Sequence, residues 1–317
     1  MATSIRAVTS FSNSICRSLP SRRLLTLPRY LPEIHNLRKV SSSGEPEDLI
    51  VEYVDGSDDP SHDFGVIAVL GLNRPKTRNA ISKKMAIMFH DALQTLKFDK
   101  SVRSVIIRST SPGMFCSGAD LKERAKMKPN EVGPFVASVR GLLANLENLP
   151  MPVIAAIDGL AYGGGLEMAL ACDIRVASAE AKMALTETKL AIIPGGGGTQ
   201  RLPRAIGVSL AKEMIFTGKV IDGVEAQRIG LVNYAVEQNE DGDAAYQKAV
   251  DVAKAICPNG PIGVKMAKIA INKGKEVDLQ SGLAIEEACY AQVIPTKDRL
   301  IALKAFAEKK KPIFTGE

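Results

Sequence analysis

Two glutamates lie in apolar stretches beside glycine runs, and they are the first chemical signal in the sequence. Glu167 follows three glycines at 163–165, and Glu187 comes 20 residues later, shortly before a second glycine run at 195–198. A carboxyl group in an apolar setting has a raised pKa and can exchange protons near neutrality. The pair predicts acid–base chemistry. The competing interpretation of Glu167 is an acid that caps a helix and complements its dipole.

The glycines before Glu167 predict a helix start that binds an anion. Three glycines there cost about 1 kcal/mol each relative to alanine, so bare backbone is required at that point. The free N–H groups and the dipole of a helix start favour a developing negative charge. A second loop, residues 115–121, has Gly118 for a tight turn and Asp120 as a helix cap, and it can supply the other half of an oxyanion hole. The run at 195–198 lacks the Gly-Lys-Ser/Thr of a P-loop and indicates a turn rather than a phosphate cradle.

These features suit a reaction in which a thioester carbonyl becomes an enolate while carboxyl groups move protons. Two carboxyls would also fit a glycosidase, but the chain has no Trp to form a sugar platform. His62 and His90 are isolated, which disfavours Ser-His or Cys-His catalysis. The cysteines after residue 43 are widely spaced and favour a reducing compartment over a zinc site or disulfides. They are Cys116, Cys172, Cys257 and Cys289.

The hydrophobic pattern predicts β-β-α units followed by helices, which is an α/β core over residues 49–242 with a helical region at 243–317. Predicted strands cover residues 49–54, 65–72, 105–108, 153–157, 174–177 and 183–185. Predicted helices cover residues 82–96, 120–127, 131–149, 164–172, 209–216, 223–229, 244–257, 261–272, 283–293 and 297–309.

The positive charge of the chain is concentrated at its beginning. Residues 1–43 carry seven basic residues and one acid, which leaves 34 basic and 34 acidic residues over 44–317. The Arg- and Ser-rich composition predicts an organellar transit peptide at 1–43, with the mitochondrial matrix as the destination and the chloroplast as the alternative. The neutral remainder gives no electrostatic case for a polyanion partner. No run approaches the roughly 18 apolar residues of a membrane span, so no membrane partner is expected.

Taken in order, these segments resemble the crotonase superfamily of acyl-CoA enzymes over essentially all of residues 49–317. The stretches that carry the resemblance are 72–75, 79–81, 117–121, 153–159, 163–167 and 193–202. Residues 121–127 and 285–292 resemble in particular its methylglutaconyl-CoA hydratase branch. The resemblance implies a spiral of ββα units with a C-terminal helical trimerisation region, and a homotrimer or homohexamer. It implies no cofactor or metal, because the acyl-CoA substrate carries its own coenzyme A.

The resemblance also implies roles by position. The N–H groups of Ala119 and Gly164 would hold the thioester oxygen. Glu167 and Glu187 would hold the attacking water, with Glu167 as the base and Glu187 as the proton donor to Cα, while Gly195 would orient the water. Contacts to CoA are implied for a further set, the last two near its nucleotide: Ala119, Asp120, Leu121, Lys122, Gly164, Lys76 and Arg78.

The implied reaction is syn hydration of a 2-enoyl-CoA thioester to the 3-hydroxyacyl-CoA. Relatives with one glutamate are isomerases, and others are hydrolases or decarboxylases, so the presence of both acids favours a hydratase. The branch implies 3-methylglutaconyl-CoA, an intermediate of leucine breakdown. The alternative is a general short-chain enoyl-CoA hydratase of fatty-acid β-oxidation. Burying the far carboxylate of methylglutaconyl-CoA requires a partner, for which Arg124, Lys126 and Lys128 are the candidates.

A different class, AU-rich RNA binding, is linked to members near this branch and would need a basic stripe on the first helix. Lys83 and Lys84 begin such a stripe, but Ile87 and Asp91 interrupt it one and two turns later. With a neutral body and no aromatic platform, the sequence disfavours a nucleic-acid partner.

Overall fold

The computed structural model describes residues 47–59 and 63–317. All of the described residues belong to one compact unit of the chain. The predicted transit peptide at 1–43 lies outside the described residues, so it stays a prediction from composition.

The strands of the described residues form two sheets joined by a repeating connection. They are β1 (Leu49–Asp55), β2 (Val66–Leu72), β3 (Val102–Ser109), β4 (Gly113–Cys116), β5 (Val153–Ile157), β6 (Gly159–Tyr162), β7 (Ile174–Ser178), β8 (Met183–Ala184) and β9 (Tyr234–Val236). The main sheet has the order β1-β2-β3-β5-β7-β9, and the smaller sheet has the order β4-β6-β8. Only β1 pairs antiparallel with its neighbour in the main sheet, while the pairs of the smaller sheet are all parallel. Successive pairs β3-β4, β5-β6 and β7-β8 each place one strand in each sheet, which is the predicted ββα spiral.

Helices follow the strand pairs and then dominate the C-terminal part. They are α1 (Lys83–Phe98), α2 (Leu121–Arg124), α3 (Pro129–Glu147), α4 (Gly164–Leu170), α5 (Gly198–Ile206), α6 (Val208–Thr217), α7 (Gly223–Arg228), α8 (Ala244–Ile256), α9 (Pro261–Gly274), α10 (Leu279–Val293) and α11 (Lys297–Ala307). Short 3-10 helices cover Pro75–Thr77 and Glu187–Leu190. Within the described ranges, none of the helices has the length and apolar character needed to cross a membrane.

The main sheet is covered on both faces, which explains why its central strands are continuous apolar runs. On one face, α1 and α3 bury side chains such as Phe89 and Leu143 in the larger core. On the other face, α8 presents Ala245, Ala249 and Ala253, three fully buried small residues spaced by four. Because residues four apart share one helix face, these alanines let α8 approach the sheet closely.

Several elements differ from the sequence prediction for local reasons. The strands β6 and β9 were not predicted because they have four and three residues and lack a long apolar alternation. The helix α5 was not predicted because it begins inside a glycine run and contains Pro203. The helix predicted at 120–127 is shorter, since Lys126 and Met127 make i→i−3 hydrogen bonds instead of continuing α2.

Candidate active site

Two backbone loops meet where β4 and β6 end. The first loop follows β4 at residues 117–120, and the second follows β6 at residues 163–164. Ile81 holds the first loop, because its N–H donates to the Gly118 carbonyl at 2.7 Å and its carbonyl accepts from the Asp120 N–H at 3.1 Å. Gly118 has φ +94°, and a Cβ there would lie 3.1 Å from the nitrogen of Gly164 in the second loop. A Cβ on Gly164 would in turn lie 3.7 Å from the Ala119 nitrogen. The N–H groups of Ala119 and Gly164 are therefore neighbours.

Neither of these two N–H groups has an acceptor among residues 47–59 and 63–317. Gly164 begins α4, so its N–H lies at the positive end of that helix. The helix can start so close to β4 only because Gly165 lacks a side chain, since a Cβ there would lie 2.2 Å from the Cys116 carbonyl oxygen. Two adjacent, unused donors next to a helix start are the geometry of an oxyanion hole.

Glu167 lies in the first turn of α4 and is 3% exposed. Its Oε1 accepts hydrogen bonds from the N–H groups of Gly196 at 2.8 Å and Gly198 at 2.7 Å. The carboxyl does not cap its own helix, so the capping interpretation fails. Burial raises the pKa of Glu167, while these two hydrogen bonds and the charges of Arg201 and Arg140 oppose the rise. The glycine run is thus a turn that holds a carboxylate.

Glu187 begins the short 3-10 helix after β8 and lines the same cleft as Glu167. Burial, followed by the negative charge of Glu167, raises the pKa of Glu187 to about 7. Its Oε2 is buried and has no hydrogen-bond partner within the described part of the chain. A half-buried carboxyl that titrates near neutrality and has a free oxygen can deliver a proton to a bound molecule.

A cleft of about 810 Å³ unites these groups. That volume is within the range of small-molecule sites. Its walls are mainly apolar, with Phe135, Val136 and Val139 from one face of α3 and a few polar groups from the loops. The predicted residues that line the cleft are Ala119, Leu121, Gly164, Glu167, Glu187 and Gly195.

Arg124, a candidate partner for a substrate carboxylate, also lines the cleft, whereas the other predicted residues lie outside that lining. The Asp120 side chain caps α2 through the Glu123 N–H at 3.2 Å and forms an ion pair with Arg74 at 3.3 Å. Lys122, Lys76 and Arg78 are exposed. The Arg78 carbonyl accepts a hydrogen bond from the Ser117 N–H at 3.0 Å, so Lys76 and Arg78 lie on the surface beside the first loop.

Sequence reasoning missed the residues that hold Glu167. The glycine run is visible in the sequence, but the carboxyl that it binds lies about 30 residues earlier, and no local pattern links the two. Also missed were Arg201 and Glu147, whose ion pair joins α5 to α3 at 2.7 Å. An Arg shortly after a glycine run does not by itself indicate an ion pair. Its partner Glu147 is 54 positions away in the sequence.

A spiral of ββα turns, with two adjacent free backbone donors, one buried acid and one half-buried acid in an apolar cleft, defines a crotonase-fold enzyme. The family model for enoyl-CoA hydratase/isomerase matches residues 64–317. The chain belongs to this enoyl-CoA hydratase/isomerase family, and it is an enoyl-CoA hydratase that acts on acyl-CoA substrates.

Individual relatives agree with this assignment. Human mitochondrial methylglutaconyl-CoA hydratase is 63% identical over 251 residues, which covers 79% of this chain and 74% of the relative. Human enoyl-CoA hydratase domain-containing protein 2, also mitochondrial, is 53% identical over 255 residues, which covers 80% of this chain and 87% of the relative. The crystal structure of an enoyl-CoA hydratase from Bacillus anthracis has a TM-score of 0.79 and 43% identity, covering 86% of this chain and 100% of that one.

Proposed function

We propose that this hydratase adds water to 3-methylglutaconyl-CoA in leucine breakdown, using Glu167 and Glu187 beside the oxyanion hole. The observation that carries the mechanism is the contrast between the two acids. Glu167 accepts two backbone hydrogen bonds, whereas Glu187 has an unpaired buried oxygen and a pKa of about 7. Different environments separate the roles of two carboxyls, one as the base and the other as the acid.

The reaction begins with the thioester oxygen between the N–H groups of Ala119 and Gly164, which stabilise the negative charge that develops there. A water molecule lies between the two carboxyls, and the Gly195 N–H, which has no acceptor among the described residues, helps to orient it. Glu167 takes one proton from the water as its oxygen bonds to C3 of the acyl chain. The electrons of the double bond move toward the thioester and form an enolate.

Glu187 then gives its proton to C2, the enolate collapses to the thioester, and the 3-hydroxyacyl-CoA is complete. In this scheme both acids act from one face of the substrate, and the addition is syn. Each turnover leaves Glu167 protonated and Glu187 ionised, and exchange with solvent restores the starting state. The CoA pantetheine would pass Ala119, Leu121 and Gly164, with its polar nucleotide outside the cleft near Lys76 and Arg78.

Arg124 supports the dicarboxylic substrate. Of the three candidate cations, only Arg124 lines the cleft. Lys126 and Lys128 are both exposed and both outside the lining. The Arg124 side chain is half-buried and forms no hydrogen bond or ion pair within residues 47–59 and 63–317. A free guanidinium in an apolar cleft suits a bidentate contact with a carboxylate.

The experiment compares kcat/KM of the chain without residues 1–43 for 3-methylglutaconyl-CoA and crotonyl-CoA. The proposal expects the higher value for the branched dicarboxylic thioester. An equal or higher value for crotonyl-CoA would leave a general short-chain enoyl-CoA hydratase, an alternative that the 53% identity to enoyl-CoA hydratase domain-containing protein 2 also supports.

The C-terminal helices support a homo-oligomer. Of the residues in α9 and α10, only Cys289 is buried in the single chain. Seven large apolar side chains on α9, α10 and α11 are exposed, an amount that favours a contact with further copies. They are Ile271 (67%), Leu279 (79%), Leu283 (48%), Tyr290 (68%), Leu300 (58%), Leu303 (58%) and Phe306 (86%). Light scattering should give three or six times the chain mass, and a monomer would contradict the proposal.

The mitochondrion is the location that the names of both human relatives carry, and we assign the chain to it. Within the mitochondrion we propose the matrix, on the composition of residues 1–43 and the four unpaired cysteines of the described part. Fractionation with protease protection of intact mitochondria tests this location. Protein that protease destroys while the inner membrane is intact would contradict it.

A further inference from the structure

Arg201 lies behind the glycine turn that holds Glu167. Its Nη1 donates to the Gly196 carbonyl at 3.0 Å, and its Nε and Nη2 donate to Glu147 Oε2 at 3.2 and 2.7 Å. The side chains of Arg201 and Glu147 are 16% and 27% exposed, so this ion pair is largely shielded from water. Arg201 thus connects α3 to the turn through two different groups.

The turn is fixed from both sides at Gly196. The N–H of Gly196 donates to Glu167, and its carbonyl accepts from Arg201. Gly197 has φ +113°, and a Cβ there would lie 2.2 Å from Arg201 Nη1, so the turn packs directly on the guanidinium. Arg201 therefore supports the peptide groups that hold the carboxylate.

We propose that Arg201, held by Glu147, is a positioning residue for the base Glu167. It fixes the turn at 196–198 so that two N–H groups point at one carboxylate oxygen, and its charge favours the ionised base. The proposal rests on the proposed function, in which Glu167 takes the proton from water. It assigns to α5 a part in the chemistry although Arg201 itself does not line the cleft.

Several charged groups surround Glu167. Arg201 on α5 and Arg140 on α3 lower the pKa of the Glu167 carboxyl, and Glu187 faces it across the cleft. Glu147 neutralises part of the Arg201 charge and also has Lys275 at 3.7 Å. Removing Arg201 takes away one of the two cations and loosens the donors, so both effects raise the pKa of Glu167.

The test uses Arg201→Gln, Arg201→Lys and Glu147→Gln in the chain without residues 1–43, assayed with crotonyl-CoA across pH. Arg201→Gln should lower kcat at pH 7 at least about tenfold while KM changes less than about twofold, because substrate contacts are intact. The acidic limb of kcat/KM should move to higher pH, so raising the pH should restore part of the rate. Arg201→Lys keeps the charge and should move this limb less than Arg201→Gln does.

The matched control is Arg204→Gln. Arg204 is also on α5 and pairs with an acid, Glu276 at 3.2 Å, but this pair is 50% and 45% exposed and does not touch the turn. Its loss should leave kcat and the pH profile unchanged. An equal effect of Arg204→Gln, or an Arg201→Gln enzyme with normal kcat and pH profile, would overturn the proposal.

Two further results keep the test decisive. If Arg201→Gln does not fold, Glu147→Gln keeps Arg201 but removes the carboxylate that holds its guanidinium. The Glu147→Gln variant should then lower kcat with KM retained. Normal kcat in that variant would overturn the proposal. If wild type hydrates crotonyl-CoA and Glu167→Gln is inactive while the Arg201 and Glu147 variants behave as wild type, only the positioning role fails. If Glu167→Gln keeps its turnover, the proposed function itself fails.

Discussion

Glu187 packs directly against Gly163, the residue that precedes α4. A Cβ on Gly163 would lie 3.1 Å from Glu187 Oε1, and Gly163 has φ +51°. The glycine that turns the chain into α4 therefore also makes room for Glu187. One local feature thus sets the separation between the start of α4 and the Glu187 carboxyl, which explains why bare backbone is required there.

The two-acid mechanism predicts the effect of neutral replacements. Glu167→Gln and Glu187→Gln should each lower kcat by a factor of at least about 10², because each removes a proton-transfer group. Shape is preserved in both, and the amide oxygen introduced by Glu167→Gln would still accept from Gly196 and Gly198, so binding of butyryl-CoA should stay close to normal. The surface variant Glu180→Gln serves as the control in steady-state assays. Near-normal turnover in either active-site variant would refute the two-acid assignment.

The raised pKa of Glu187 predicts a pH-dependent stability difference. The pKa of Glu187 is about 7 in the folded chain, above the value near 4.5 of an ordinary glutamate, so folding favours the protonated form. Stability from this group is complete below about pH 4.5 and is lost as pH rises toward and through 7. Glu187→Gln cannot ionise, so it should melt above wild type at pH 8, with the difference shrinking toward pH 5. Calorimetry at both pH values measures this, and a constant difference would contradict it.

Much of the site could be predicted because its chemistry is encoded locally. Glycines before Glu167 and the cap at Asp120 are short-range signals, and the structure places both loops directly before helices, as the sequence indicated. The partners of each group could not be predicted in the same way. The contact of Glu167 with Gly198 spans 31 positions and depends on how α5 packs, which hydrophobic periodicity does not encode.

Gly165 and Gly141 differ in whether the fold requires a residue without a side chain. Gly165→Ala would place a Cβ 2.2 Å from the Cys116 carbonyl oxygen, so α4 would have to move, and the cost should be several kcal/mol with loss of activity. Gly141 lies inside α3, and a Cβ there would meet nothing within 4 Å. Gly141→Ala should stabilise the protein by about 1 kcal/mol. Urea unfolding checks both, and a tolerated Gly165→Ala would contradict the close packing of α4 on β4.

The composition of the first 43 residues predicts removal of this segment. The mature N-terminus should lie near residues 40–44, and a chain without residues 1–43 should keep full activity and stability, because β1 begins at Leu49. N-terminal sequencing of protein from mitochondria and assays of the shortened chain measure the two points. An intact N-terminus on the mitochondrial protein would count decisively against a cleaved leader.

The placement of Arg124 predicts a selective loss of one substrate. Arg124→Gln removes the cation that is proposed to pair with the far carboxylate of 3-methylglutaconyl-CoA. The kcat/KM for that thioester should therefore fall roughly 5- to 150-fold, which corresponds to a loss of about 1–3 kcal/mol of transition-state stabilisation. Crotonyl-CoA has no such carboxylate, and its kcat/KM should change little. Lys126→Gln is the matched control, because Lys126 is a cation on the same segment but exposed and outside the cleft lining. If Arg124→Gln weakens both thioesters equally, Arg124 acts on the CoA or the fold instead. If Lys126→Gln gives the selective loss, the carboxylate binds further along the segment than the cleft geometry indicates.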